Sequence, residues 1–134
     1  MSNDLSPSST GLRILVVEDV ADSRELMADL LRETGPHSIE LAESGDEGLL
    51  HLRTTAYDLI VTDIGLPGMT GLEMLDHAKE EGRLDGATVA VCSGNHSLRP
   101  QVVAQGGHYI PKPIDTDALP KTIAEHLSRT ATGA

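Results

Sequence analysis

The chain has 134 residues and carries 21 Asp and Glu against 10 Lys and Arg, a formal net charge of −11. That length suffices for one domain with a proper core, and the acidic balance argues against direct binding to DNA or to an anionic lipid surface. With no Trp, no Phe and only two Tyr, the chain lacks stacking platforms for bases and must build its core from Leu, Ile, Val, Ala and Met.

The opening MSNDLSPSSTG has neither a basic start nor an apolar stretch. It is read as a flexible polar tail over residues 1–11, not as a signal peptide. Leu12–Val17 (LRILVV) is the first predicted strand. Asp22–Thr34 follows as a helix, with Leu26, Leu30 and Leu31 at helical spacing and Gly35-Pro36 as its stop. His37–Ala42 alternates and suits an edge strand. Ser44-Gly-Asp-Glu47 has the pattern of a capping box and opens a helix to about Thr55. Tyr57–Thr62 is the third strand. Thr70-Gly-Leu-Glu73 is a second capping box, and its helix ends near Gly82. Ala87–Cys92 is the fourth strand, followed by a short helix near Ser97–Gln105 with Pro100 in its first turn. His108–Ile110 is a brief fifth strand. The last helix carries Leu119, Ile123 and Leu127 on one stripe, with Pro120 in its first turn, and Ala131–Ala134 is expected to fray.

Continuous apolar strands alternating with helices imply a parallel sheet covered on both faces. Right-handed crossovers make this a doubly wound α/β fold of five βα units. No apolar run is long enough to span a bilayer. The single cysteine excludes an intrachain disulfide and fits a cytoplasmic protein.

In open α/β sheets ligands bind outside the carboxyl ends of the strands. Glu18-Asp19 follow the first strand, Asp63 the third, Ser93 the fourth and Lys112-Pro113 the fifth. Any one of these acids is as readily a helix cap; their joint placement on one rim is harder to obtain from capping. Clustered carboxylates without Cys or His select a hard divalent cation, magnesium (Mg2+), over zinc. Mg2+ often completes its shell with phosphate oxygen. Lys112 adds a point charge for such oxygens, Ser93 a hydroxyl, and one carboxylate is a candidate nucleophile. The bland readings elsewhere are kept: the six histidines show no ligand spacing and are read as incidental, Cys92 as a buried apolar residue, and Met27, Met69 and Met74 as core. Gly65, Gly68 and Gly71 make turns, since no Gly-Lys-Ser/Thr follows them.

The motifs ILVVED (14–19), VTDIGLPGMTG (61–71), VCSG (91–94) and YIPKP (109–113) resemble those of the receiver domain of bacterial two-component response regulators. The resemblance covers about Leu12 to Leu127. It implies a flavodoxin-like, three-layer sandwich with strand order 2-1-3-4-5, a receiver domain over residues 12–128 and a C-terminal tail over 129–134. By the same resemblance Asp63 is the phospho-acceptor. Glu18, Asp19, Asp63 and the backbone carbonyl of Gly65 are the Mg2+ ligands. Ser93 is the switch hydroxyl, Lys112 the phosphoryl-contacting lysine and Tyr109 the switch aromatic. Lys112-Pro113 is the family's cis peptide.

The implied function is a phosphorylation-dependent signalling switch, not a dedicated enzyme. The phosphoryl group comes from a phosphohistidine on a sensor histidine kinase or a histidine phosphotransfer protein, and an unidentified downstream protein reads the result. A weak homodimer stays open. This sequence departs from the family in a stretch from Ser93 to Lys112 that is shorter by about one helical turn, so the fourth helix is expected to be short, shifted or irregular. Gly65 and Asn95, each two residues beyond Asp63 and Ser93, are expected to tune phosphoryl lifetime. Met1 and the polar ends favour a stand-alone protein over a receiver module of a hybrid histidine kinase. A Mg2+-dependent aspartyl-phosphate phosphohydrolase is the enzyme alternative. It needs a second aspartate two residues after the nucleophile, where Gly65 stands.

Overall fold

The computed structural model describes residues 11–133. Residues 1–10 of the tail expected over 1–11, and the final residue, 134, lie outside the described residues. The strands are β1 (Arg13–Val17), β2 (Ser38–Ala42), β3 (Leu59–Asp63), β4 (Thr88–Ser93) and β5 (His108–Pro111). The helices are α1 (Ala21–Arg32), α2 (Gly45–Thr54), α3 (Gly71–Glu80), α4 (Arg99–Ala104) and α5 (Ala118–Gly133). The sheet is parallel, with order β2-β1-β3-β4-β5. This is the expected flavodoxin-like sandwich, with β2 at one edge.

Alternation along the strands divides the core in two. Ile14, Val16, Leu59, Val61, Ala90 and Cys92 face one layer, with Met27 and Leu31 of α1 and Leu119 and Ile123 of α5. Leu15, Val17, Ile60 and Val91 face the other, with Leu49 and Leu52 of α2, Met74 and Leu75 of α3 and Val102 of α4. β3 is buried along its whole length, so it forms the rigid central support of the rim.

Several boundaries and contacts differ from the sequence reading. Thr70 and Glu73 form the full capping box at α3. At α2 only half of it forms: Ser44 Oγ accepts from Glu47 N–H, while the Glu47 carboxylate accepts from Glu43 N–H, one residue early. The apolar stripe of α5 does not continue to Leu127, which is 40% exposed. The buried position on that turn is His126, seven residues after Leu119 and on the same face, with Nδ1 2.5 Å from the Thr88 hydroxyl. His126 is therefore structural, not incidental. The helix also continues to Gly133, past the start of the tail expected at residue 129. Tyr57 is buried, its hydroxyl donating to Glu40 at 3.0 Å.

The segment between Ser93 and Lys112 is irregular, as expected. A 3-10 turn over His96–Leu98 leads into α4, which has only six residues and carries Pro100 in its first turn. No helix among the described residues is long and apolar enough to cross a membrane.

Candidate functional site

The parallel register delivers the site residues to one end of the sheet. Asp63 is the last residue of β3 and pairs with Cys92, next to Ser93 at the end of β4. Glu18 and Asp19 follow β1 directly, and Lys112 follows β5. One oxygen from each of Glu18, Asp19 and Asp63 lies within 4.8 Å of the others. Lys112 Nζ reaches into this cluster, donating to Glu18 Oε1 at 3.1 Å and to Asp63 Oδ2 at 2.9 Å. One ammonium against three carboxylates leaves the cluster net negative, which suits a hard divalent cation.

The members differ in exposure. Glu18 is fully buried, Asp63 is 8% exposed and Asp19 is open to solvent. Burial pushes the Glu18 carboxyl above its ordinary range, and the charge of Asp63 adds to this; hydrogen bonds from Val20 N–H and Lys112 pull the other way. Burial opposes the charge on Lys112, but its bonds to Asp63 and Glu18 outweigh that and hold the ammonium above its usual value. Lys112 thus stays a cation. Cys92, directly before Ser93, is buried and its thiol is pushed up to about 12, which keeps it an unreactive thiol.

Ser93 is 6% exposed, and its Oγ accepts from Asn95 N–H at 2.9 Å. The Tyr109 hydroxyl donates to the Ser93 carbonyl at 2.8 Å, and the residue is half-buried on β5. The Arg99 guanidinium stands 5.9 Å from the ring centroid and His96 meets the ring edge-on at 6.1 Å. The Lys112-Pro113 peptide is cis. Gly65 N–H points to Asp63 Oδ1 at 3.4 Å, and a side chain at Gly65 would meet open space. The absence of a side chain there leaves the approach to Asp63 open and is not forced by packing. The Asn95 side chain accepts from Ser97 N–H and Oγ and caps the 3-10 turn.

Sequence reasoning missed two supports of the site. Arg24 of α1 donates from Nη1 to the Glu18 carbonyl at 2.9 Å and pins the turn carrying the acidic pair. No spacing motif signals such a contact. Gly71 donates its N–H to the Ile64 carbonyl at 3.0 Å, with its Cα against the Asp63 carbonyl. A glycine at the first helical position, where a side chain is normally welcome, was the available signal.

The model of the family described as the response regulator receiver domain matches residues 14–124. The chain is 30% identical over 122 residues to the chemotaxis protein CheY of Pseudomonas aeruginosa, covering 88% of this chain and 98% of that protein. It is 35% identical over 127 residues to the sensor histidine kinase AruS of the same species, covering 88% of this chain and 12% of that protein. Among solved structures, the response regulator protein TrrA of Thermotoga maritima, in complex with Mg(2+)-BeF, matches with TM-score 0.75 and 30% identity. That match covers 85% of this chain and 97% of the other. The chain belongs to the response regulator receiver domain family of two-component signalling.

Proposed function

We propose that the protein is a phosphorylation-dependent switch that accepts a phosphoryl group on Asp63 and signals through protein contacts. The observation that carries this reading is the bridging of Glu18 and Asp63 by Lys112 inside an acidic cluster at the carboxyl rim. The donor is a phosphohistidine of a sensor histidine kinase or histidine phosphotransfer protein. An Asp63 carboxylate oxygen attacks phosphorus, an O–P bond forms, the N–P bond breaks, and the imidazole leaves with its electron pair. Lys112 holds phosphoryl oxygen and neutralises charge that develops there. Glu18, Asp19, Asp63 and the carbonyl of Gly65 are the groups that would hold Mg2+, which supplies further positive charge for those oxygens. Ser93 is the hydroxyl that turns toward the new group, and Tyr109 carries the change to the face formed by α4 and β5.

A Mg2+-dependent phosphohydrolase is disfavoured because Gly65 offers no general acid where that chemistry needs one. The likeness to AruS favours a second setting for the same chemistry, a receiver module of a hybrid histidine kinase. The test is direct. The protein is incubated with Mg2+ and a small acyl- or amido-phosphate donor, and intact mass is followed for wild type and Asp63→Asn. The expected result is one added phosphoryl group in wild type and none in the variant. No adduct on wild type overturns the reading; rapid multiple turnover of a phosphorylated metabolite supports the enzyme instead.

A further inference from the structure

β4 is an interior strand, hydrogen-bonded to β3 on one side and β5 on the other. Such a strand in a doubly wound sheet is normally covered on both faces. Yet Val89, the second residue of β4, is only half-buried. The covering helix is short: α4 ends at Ala104, and Gly106 and Gly107 follow without side chains to extend its shield. The result is a cleft of about 250 Å³ between α3 and α4. Its floor is Val89 and Val91, and its walls include Leu75 of α3 and Val102 of α4.

Size and charge together restrict the occupant. An apolar cavity of about 150 Å³ holds a benzene ring, whereas pockets for drug-sized ligands or cofactors run from about 300 to 1,000 Å³. This cleft falls between them and matches one large apolar side chain. Its rim carries Asp76, Asp85 and Lys79, two carboxylates against one ammonium. Among the described residues neither Asp76 nor Asp85 has an ion-pair partner. The chain as a whole has a net charge of −11, so a second copy would bring like charge to this rim. A basic partner would bring opposite charge.

We propose that the α3–α4 cleft is a docking site for a protein partner that inserts one apolar side chain carried on a basic segment. The cleft is formed by the short α4 and not by the acidic cluster. Docking is tested on the chain with no phosphoryl donor present, so its failure is separable from failure of the switch reading.

The test is a methyl NMR titration of the full chain with a short amphipathic Leu/Lys peptide. A charge-matched control peptide has every Leu replaced by Ser. The expected result is shifts at Val89, Val91 and Val102, with the control binding about tenfold to a hundredfold more weakly, the share of one buried leucine. Ala87→Phe, which fills the cleft, abolishes those shifts. If that variant does not fold, the exposed pair Asp76→Lys with Asp85→Lys lowers affinity several-fold instead. The proposal is overturned if the control binds as tightly, if the shifts centre on another face, or if the same methyls shift with protein concentration alone, which makes a second copy the occupant.

Discussion

Gly71 and Asp63 are in backbone contact, so close that a side chain at 71 would overlap the Asp63 carbonyl oxygen. The obstacle is main chain, which cannot rotate away as a side-chain tip can. Gly71→Ala therefore has to move either the start of α3 or the end of β3. The expected cost is about 1–3 kcal/mol, the usual range for forcing a methyl into a packed site. Phosphoryl uptake at Asp63 should slow as well, because the acceptor itself is displaced. Gly65→Ala, where a side chain meets open space, is the control and should unfold like wild type. Urea denaturation of both variants, with intact-mass kinetics, checks the pair.

Lys112 contacts two of the three carboxylates that cluster at the rim. Lys112→Met removes the cation and keeps most of the stem. The cluster then becomes more negative and should bind Mg2+ more tightly, while the phosphoryl oxygens lose their positive partner. Removing one such stabilising donor from a reaction centre costs on the order of 10²–10³ in rate. Calorimetric Mg2+ binding should therefore rise while the phosphorylation rate falls. A parallel fall in both would show that Lys112 mainly holds the site's shape.

The strands were legible because β1, β3 and β4 are short apolar runs and β2 alternates as an edge strand does, whereas their order rested on the resemblance of the motifs to the receiver family. The rim residues were legible for a related reason: the end of an apolar run fixes where Asp63 and Lys112 stand. What escaped the sequence lies at contacts that no local period encodes. Arg24 reaches back to the Glu18 carbonyl across the first turn of α1. His126 replaces Leu127 as the buried residue because the helical period favours the position seven residues after Leu119. The Glu47 carboxylate caps one residue earlier than the motif predicts, since the preceding N–H of Glu43 lies within its reach.

Tyr109 donates to the Ser93 carbonyl, but that carbonyl also accepts from Lys112 N–H at 3.0 Å. Tyr109→Phe therefore leaves the acceptor satisfied, and the cost should be at the low end for a hydrogen bond, about 0.5 kcal/mol. The ring contacts with Arg99 and His96 remain available to phenylalanine. Signalling should be affected more than folding. With phosphorylation unchanged by intact mass, amide shifts in α4 on phosphorylation should shrink relative to wild type. Undiminished shifts would remove Tyr109 from the relay.

His37 gives a pH dependence at the end of the sheet opposite the site. Leu12 N–H donates to its Nδ1 at 3.0 Å, so that nitrogen carries no proton. Nε2 then holds the proton and donates to the Thr34 hydroxyl at 2.8 Å, which in turn donates to the Leu31 carbonyl at 2.7 Å. The network ties the entry of β1 to the end of α1 and works only with a neutral ring. Burial lowers the His37 pKa below its ordinary 6.5. A histidine whose folded pKa is depressed gives stability that is fully present above the unfolded pKa and lost as pH falls through the folded one. Stability should thus decline as the solution is acidified from neutrality through the region below pH 6.5. Glu18, raised by burial, acts with the opposite sign: its contribution is present below its unfolded pKa and lost as pH rises. The readout is therefore the difference between wild type and His37→Phe in urea denaturation at several pH values. That difference should be largest at neutral pH and narrow on acidification; a difference independent of pH would show that His37 acts by packing alone.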